Sequence, residues 1–147
     1  LNFVEVGTAT VLMDYAHNPA GFYGLTQFIS KLPNKYRTVV MNATGDRRDD
    51  DIREMGKIAG NNFDRIVLRR GHYLRGRPEE DAFRLLQEGI AQSGKDPQVR
   101  TISDSREAIH HAIKNARKGE LVVTLADLVP DDIRSVQEVR DKLLEAE

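Results

Sequence analysis

Short apolar runs alternate with amphipathic segments of helical length along this chain, and this alternation constrains the fold more than any other feature. Six runs are predicted strands, at residues 3–6, 10–13, 38–41, 65–68, 99–102 and 121–125. Four segments are predicted helices by their apolar spacing, at residues 19–31, 51–59, 78–90 and 133–144, and a fifth helix follows a predicted cap at Asp104. Strands alternating with helices of about 10–15 residues are typical of parallel βαβ units.

The predicted elements form a doubly wound sheet. Gly7-Thr8 separates the first two strands as a turn would, so we expect these strands to pair as a hairpin. Right-handed crossovers make the later strands parallel. The spacing in the first helix predicts one buried apolar face, formed by Phe22, Leu25, Phe28 and Ile29.

Parallel sheets of this kind bind ligands beyond the carboxyl ends of their strands, which separates the loops into two edges. The loops at the carboxyl edge include residues 16–19, 44–49 and 69–77. The last of these contains four arginines and no acidic residue: Arg69, Arg70, Arg75 and Arg77. The sequence therefore predicts a positively charged cleft at the edge where such folds bind ligands.

Composition limits the classes of function. The formal net charge is −1, so no overall field favours nucleic acid or an anionic membrane. The absence of cysteine excludes disulfides and thiolate metal sites and fits a reducing cytoplasm. No apolar run approaches the roughly 18 residues of a membrane span. The sequence enters a strand directly at Leu1, and we expect it to be a fragment of a longer multidomain protein.

The first candidate site is the loop from Asp14 to Pro19, between a strand and a helix. The amino end of a helix presents free N–H groups and a partial positive charge, which suit phosphate. Asp14 could accept hydrogen bonds from a ribose, and His17 and Asn18 could contact ribose or phosphate. Alternatively, Asn18 or Asp14 only caps the helix and His17 lies on the surface. Residue chemistry leaves both interpretations open.

The second and third candidates carry arginines. In the segment 45–49, Gly45 allows close approach of a ligand, and Arg47 and Arg48 could clamp phosphate or carboxylate. Alternatively, Asp49 or Asp50 caps the next helix and these arginines are solvated. The stretch 69–77 either binds substrate or forms a solvated, mobile loop; nucleic acid is disfavoured because Tyr73 is its only aromatic residue.

Several catalytic motifs are absent. Residues 89–96 resemble a phosphate-binding P-loop, but Asp96 replaces the required hydroxyl and the stretch follows a helix instead of a strand. Gly94 there is better interpreted as a helix C-cap. His110 and His111 are adjacent in a helix and point in different directions, so they are not a metal pair. We predict no metal ligand and no catalytic residue within this chain.

The candidate loops resemble those of a known family. The stretch from Val11 to Gly21, with Asp14-Tyr15-Ala16-His17-Asn18-Pro19, is similar to the start of the C-terminal domain of Mur ligases. The segments 45–52 and 74–77 are similar to the corresponding domain of cyanophycin synthetases. The resemblance covers residues 1–147. It implies a Rossmann-like, three-layer α/β fold: about six strands, mostly parallel with one antiparallel N-terminal strand, and helices on both faces.

The resemblance also implies a reaction. Such ligases phosphorylate a carboxylate with ATP and let the amine of an amino acid attack the acyl-phosphate, which forms an amide. A central domain of the same chain, absent here, would supply the P-loop and most Mg²⁺ ligands. This domain would close over ATP and help to hold the amino acid; the full-length enzyme would be cytoplasmic and could form a homo-oligomer.

The resemblance assigns roles by position. Asp14, His17 and Asn18 would contact ATP, and Asp46 with Arg47 would lie nearer the reacting groups; the substrate-binding set comprises Asp46, Arg47, Arg48, Arg75 and Arg77. In cyanophycin synthetases the stretch before residue 75 is commonly acidic, whereas here it contains Arg69 and Arg70, which puts arginine as substrate in doubt. The alternatives are a Mur or folylpolyglutamate-type ligase domain with a different acceptor, and a non-catalytic anion-binding module.

Overall fold

A computed structural model describes residues 2–43, 47–71, 74–126 and 129–145. The strands are β1 (Asn2–Val6), β2 (Ala9–Asp14), β3 (Arg37–Met41), β4 (Arg65–Leu68), β5 (Gln98–Thr101) and β6 (Leu121–Leu125). The helices are α1 (Pro19–Ile29), α2 (Asp49–Asn62), α3 (Glu79–Ala91), α4 (Ser105–Lys114) and α5 (Val129–Glu145). Every predicted strand and helix is therefore present, with ends displaced by a few residues. No helix among the described residues is long and apolar enough to cross a membrane.

The six strands form one sheet in the order β1-β2-β6-β3-β4-β5. β1 pairs with β2 as an antiparallel hairpin in which Val4 lies opposite Val11, and all other neighbours are parallel. This confirms the mostly parallel sheet with one antiparallel N-terminal strand. β6 lies inside the sheet between β2 and β3, and its five residues are all buried, as expected for a strand covered on both faces.

Alternation along the strands divides the interior into two cores. Leu12 and Val39 lie in the core covered by α1, α2 and α3. Val11 and Val40 point to the opposite core, which α4 and α5 cover. Helices therefore lie on both faces of the sheet, and the predicted three-layer α/β architecture is confirmed.

Two glycines hold α2 and α3 close together. A Cβ atom on Gly56 would lie 2.2 Å from the carbonyl oxygen of Leu86, and one on Gly89 would lie 1.9 Å from the carbonyl oxygen of Arg53. Since both obstacles are backbone atoms, a side chain at either position would push the helices apart. The amino ends of these two helices follow the second and third candidate loops, so their packing fixes the positions of those loops.

Three local predictions were wrong. Phe28 is 40% exposed, and Thr26 is buried in its place because its hydroxyl donates to the Tyr23 carbonyl oxygen. The N-cap of α2 is Arg48, which makes no side-chain cap bond, so neither predicted aspartate caps this helix. The C-cap of α3 is Gln92, not Gly94.

Candidate functional site

The strand order creates a crevice beside β6. The helices that follow β2 and β3 cover one face of the sheet, whereas α5, which follows β6, covers the other. The chain therefore leaves neighbouring strands in opposite directions on both sides of β6. Ligands of doubly wound folds bind at such a switch point, beyond the carboxyl ends of the strands.

A small cleft lies at this switch point. The ends of β2, β3 and β6 contribute to its wall, together with α2 and α3; the lining residues used below are Ala16, His17, Asn42, Arg47 and Ala126. Its interior volume is about 20 Å³, enough for a water molecule or two. The cleft is thus a partial recess, much smaller than a nucleotide.

The first candidate loop lies along this recess. Asn18 is the N-cap of α1: its side-chain oxygen accepts from the backbone N–H of Gly21 at 2.8 Å. The capping interpretation of Asn18 is therefore confirmed, and its amide NH₂ group remains to donate to a ligand. Asp14 is half-buried at the end of β2, where its carbonyl oxygen accepts from the Ala126 N–H at 2.8 Å.

His17 is exposed beside the recess with a defined ring orientation. Its Nδ1 lies 3.0 Å from the Tyr15 carbonyl oxygen, and the two rings meet edge to face with centroids 5.3 Å apart. A carbonyl oxygen only accepts, so Nδ1 carries the proton and Nε2 of the neutral ring is an acceptor. This tautomer can accept from a ribose hydroxyl, and the protonated ring can donate to a phosphate oxygen.

Arg47 lines the recess from the second candidate loop. Its Nε is buried and has no hydrogen-bond partner among the described residues. A buried guanidinium N–H without an acceptor costs free energy, and an oxygen atom of an anion placed in the recess would satisfy it. Gly45 and Asp46 lie outside the described residues. Arg48 is exposed, and its hydrogen bonds to Asp51 raise the pKa of Arg48.

The third candidate loop contacts the second. Arg77 donates from Nη2 to the carbonyl oxygen of Arg47 at 3.0 Å, and its Nη1 lies 2.9 Å from Asp49 and 2.8 Å from Asp81. Arg75 is exposed and has a φ of 53°, the left-handed region that side chains rarely adopt. The structure therefore joins Arg47 to Arg77, and leaves Arg48 and Arg75 at the exposed rim.

Two of the four arginines predicted to make the cleft positively charged are neutralised by acidic partners. Arg69 is buried and pairs with Asp132 of α5. Arg77 pairs with Asp49 and Asp81, at the amino ends of α2 and α3. These acidic partners lie in flanking or distant segments. They could not be recognised from residues 69–77 alone.

A larger cleft of about 880 Å³ opens at the same edge, beyond β4 and β5. Arg70 and Gly71 contribute from the loop after β4, Ser103 and Asp104 from the loop after β5, and α4 and α5 contribute the other lining residues. Its charged lining residues are mixed in sign: Arg70, Arg106 and Arg134 with Asp104, Glu107, Asp131, Asp132 and Glu138. No cluster of His, Asp and Glu in the described part of the chain could hold a metal ion.

Residues 1–128 match the family model described as Mur ligase, glutamate ligase domain. The chain belongs to this family. Among curated relatives of this Mur ligase domain, cyanophycin synthetase of Nostoc sp. strain PCC 7120 is 34% identical over 137 residues, which are 93% of this chain. The chain spans about 15% of the length of that relative. The curated relatives of this Mur ligase domain are named as synthetases or ligases.

Solved structures agree with the fold. One of UDP-N-acetylmuramoyl-L-alanyl-D-glutamate–2,6-diaminopimelate ligase superposes with a TM-score of 0.83 at 21% identity, and the match covers 97% of this chain and 31% of that one. MurF ligase from Thermotoga maritima, solved in complex with ADP, superposes with a TM-score of 0.64 at 18% identity. This match covers 99% of this chain and 31% of the MurF chain. These similarities establish the Mur ligase C-terminal domain fold.

Two residues of this edge, Asn42 and Gly71, were not among the predicted site residues. Asn42 follows β3 and lines the recess, and a polar residue directly after a buried strand was the available signal. Gly71 follows β4 and is buried; a Cβ atom there would lie 2.6 Å from Asn42 Nδ2 and 2.8 Å from the Ala43 carbonyl oxygen. The glycine therefore lets two loops of the site pass in contact.

Proposed function

We propose that residues 1–147 are the C-terminal ATP- and amino-acid-binding domain of a cyanophycin-synthetase-like, ADP-forming amide ligase. The observation that carries this proposal is the meeting of His17 and Arg47 in one recess at the switch point. The Nε–H group of Arg47 is buried and has no hydrogen-bond acceptor among the described residues. An anion bound in the recess would supply that acceptor.

The proposed reaction joins an amino acid to a carboxylate. ATP transfers its terminal phosphoryl group to the carboxylate, and the amine then displaces phosphate to form the amide. Asp14, His17 and Asn18 bind and orient the nucleotide, with Nε2 of His17 and the amide NH₂ of Asn18 as the contacting groups. The substrate side of the site comprises Asp46, Arg47, Arg48, Arg75 and Arg77.

A second domain completes the site in this proposal. The recess of about 20 Å³ cannot enclose a nucleotide, so residues 1–147 supply only one wall of the nucleotide site. The 15% share of the relative's length leaves room for a central domain in the same protein, which would carry the P-loop and most Mg²⁺ ligands. A bound Mg²⁺ would neutralise phosphate charge. A cytoplasmic location and a homo-oligomer of the full-length enzyme stay predictions.

The identity of the amino acid has two candidates. Arginine is suggested by the relatives named cyanophycin synthetase. The other candidate is 2,6-diaminopimelate, which the relatives named as 2,6-diaminopimelate ligases suggest. Competition between arginine and meso-diaminopimelate in a ligation assay separates these candidates.

The test of the proposed function is ADP release by the full-length protein. We expect release to require both a carboxylate acceptor and an amino acid, with one ADP formed per amide. The 147-residue chain alone is expected to release no ADP, because it lacks the P-loop. Turnover by the isolated chain would contradict the proposed need for a second domain. The absence of any amine-dependent ADP release by the full-length protein would contradict the proposal and favour a non-catalytic anion-binding module.

A further inference from the structure

A second polar cavity lies at the amino ends of β3 and β4, away from the switch point. Its volume is about 530 Å³, within the range of small-molecule sites. The side chains that matter to the argument are Tyr36, Arg65, Arg100, His111, Asn115 and Arg117. The cavity lies between β4, β5 and the last turn of α4, on the face of the sheet opposite to α2 and α3.

The lining of this cavity has one sign of charge. It includes three arginines and no acidic residue, although the whole chain carries a net charge of −1. Arg65 is partly neutralised, because its Nη2 lies 3.0 Å from buried Glu120. The Glu120 carboxylate also accepts a hydrogen bond from the Thr38 hydroxyl at 2.9 Å. It therefore compensates the charge of only one of the three arginines.

The other two guanidinium groups remain available to a ligand. The guanidinium carbon of Arg117 lies 3.9 Å from the centroid of the Tyr36 ring, a cation–π contact that fixes the position of the charge without neutralising it. Arg100 is exposed on β5, and within the described parts of the chain its side chain makes no hydrogen bond or ion pair. Two positive charges therefore face one cavity with no carboxylate to compensate them.

His111 adds a neutral donor, which Asn115 orients. Asn115 Nδ2 lies 3.3 Å from His111 Nδ1, so Nδ1 accepts and the Nε2–H of the imidazole is left to donate. Burial, followed by the charges of Arg100 and Arg65, lowers the pKa of His111 and keeps the ring neutral at pH 7.

The helix end beside the cavity is partly neutralised by existing bonds. The last turn of a helix exposes carbonyl oxygens that repel anions. Here Arg65 Nη2 donates to the Ala112 carbonyl oxygen at 2.7 Å, and Asn115 Nδ2 donates to that of His111 at 2.9 Å. Two of these carbonyl groups are therefore covered, and the arginines determine the local potential.

We propose that this cavity binds an oxyanion ligand with at least two carboxylate or phosphate groups, at a site separate from the switch-point recess. Charge-assisted bonds from Arg100 and Arg117 hold the anion, and the His111 Nε2–H donates a further bond. The cavity and the recess lie at opposite edges of the sheet, and β4 of four residues separates those edges by about 10 Å or more.

Another role for Arg100 needs to be separated from binding. β5 is an edge strand, and charged residues on exposed edges prevent pairing with other chains. That role requires no ligand and no second arginine. Binding, by contrast, depends on Arg100 and Arg117 together, which a double variant tests.

The experiment uses the full-length protein with its ATP site occupied by a non-hydrolysable ATP analogue. Isothermal titration calorimetry with inorganic pyrophosphate, and separately with citrate, measures binding in about 0.1 M NaCl, which screens non-specific attraction beyond roughly 10 Å. Hydrogen–deuterium exchange with mass spectrometry then locates the bound anion. We expect saturable binding of at least one anion and slower exchange in residues 98–101 and 111–117; the stronger anion identifies phosphate or carboxylate as the preferred group.

The variant R100Q/R117Q is compared with R140Q, which removes an exposed arginine of α5 outside the cavity. The loss of two charge-assisted hydrogen bonds predicts an affinity about ten-fold weaker or more in the double variant, and no change in R140Q. The proposal is overturned if neither anion binds, if the double variant binds as tightly as the wild type, or if exchange slows only around residues 14–18 and 47–49.

Discussion

Arg69 and Asp132 form an ion pair inside the protein. Arg69 Nη2 lies 3.4 Å from Asp132 Oδ2, and the exposed fractions of the two side chains are 0% and 1%. The same Nη2 donates to the carbonyl oxygen of Leu125 at 2.6 Å. The pair therefore ties the end of β4 to the end of β6 and to α5, directly behind the carboxyl edge.

Breaking this pair is expected to destabilise the fold. Asp132→Ala leaves the Arg69 charge buried without its carboxylate, which costs about 3–5 kcal/mol in free energy of unfolding. Urea denaturation of the 147-residue chain, followed by circular dichroism, measures this change.

The matched control is Asp131→Ala. Asp131 is exposed and lies 3.9 Å from Arg134, so its removal should cost less than about 1 kcal/mol. Equal stability losses in the two variants would show that burial of the Arg69 pair contributes nothing.

Gly89 and Gly24 should respond oppositely to alanine. Gly89→Ala places a Cβ atom 1.9 Å from the Arg53 carbonyl oxygen, so α2 and α3 must separate at a cost of about 1–3 kcal/mol. Gly24 is exposed in α1 with no atom within 4 Å of the added Cβ. Because alanine favours helices, Gly24→Ala should stabilise the chain by up to about 1 kcal/mol. Thermal denaturation of both variants checks the signs, and a Gly89→Ala chain as stable as the wild type would refute the close packing.

Asn18 should contribute to stability as the N-cap of α1. Asn18→Ala removes the acceptor for the Gly21 N–H and should lower the free energy of unfolding by about 1 kcal/mol. Asn18→Ser retains an oxygen acceptor and should recover most of that loss. If both variants unfold at the same urea concentration as the wild type, the cap bond does not stabilise the helix.

His110 should make stability depend on pH. It is nearly buried in α4, and burial, with the charges of Arg106 and Lys142, lowers its pKa, although Glu138 and the backbone of Ser135 act in the opposite direction. As the pH falls below about 6.5, His110 therefore binds a proton in the unfolded chain before it does so in the folded chain. That proton favours unfolding, so stability is full above this pH and declines below it.

The measurement is the free energy of unfolding at pH 7.5 and at pH 5.5. We expect the wild type to be less stable at pH 5.5 and His110→Gln to lose part of that difference. His111 contributes in the same direction, so His110→Gln/His111→Gln should lose more. A wild-type chain that is more stable at pH 5.5 than at pH 7.5 would contradict the lowered pKa of His110.

The fold could be predicted from local patterns because each element carries its own signal. The five apolar residues of β6 indicate a strand buried on both faces, and Gly7-Thr8 indicates the hairpin turn. Phe28 was misplaced because apolar spacing cannot distinguish a buried aromatic from one at the edge of the face. Thr26 replaced it because the helix itself supplies an acceptor for the hydroxyl.

The site was less predictable because its electrostatics depends on distant residues. The position of Arg69 after a strand gave no sign that Asp132, 63 residues later, would neutralise it. The polar cavity at the amino ends of β3 and β4 was missed for the same reason. Its lining residues come from four separate segments that only the sheet order brings together: Tyr36, Arg65, Arg100 and Arg117. The Asp14–Pro19 loop could be proposed from the sequence because its residues are contiguous and lie between a strand and a helix.

The most direct test of the central claim is the ATP KM of the full-length protein with His17→Ala or Arg47→Gln, measured by ADP release. The proposed role of His17 predicts an ATP KM about five-fold higher for His17→Ala, since a hydrogen bond to the nucleotide, worth about 1 kcal/mol, is lost. Arg47→Gln should lower kcat or raise the KM for the carboxylate or amino acid, and Arg140→Gln should change nothing. Unchanged kcat and KM values in both site variants would contradict the assignment of the switch-point recess to the ligase active site.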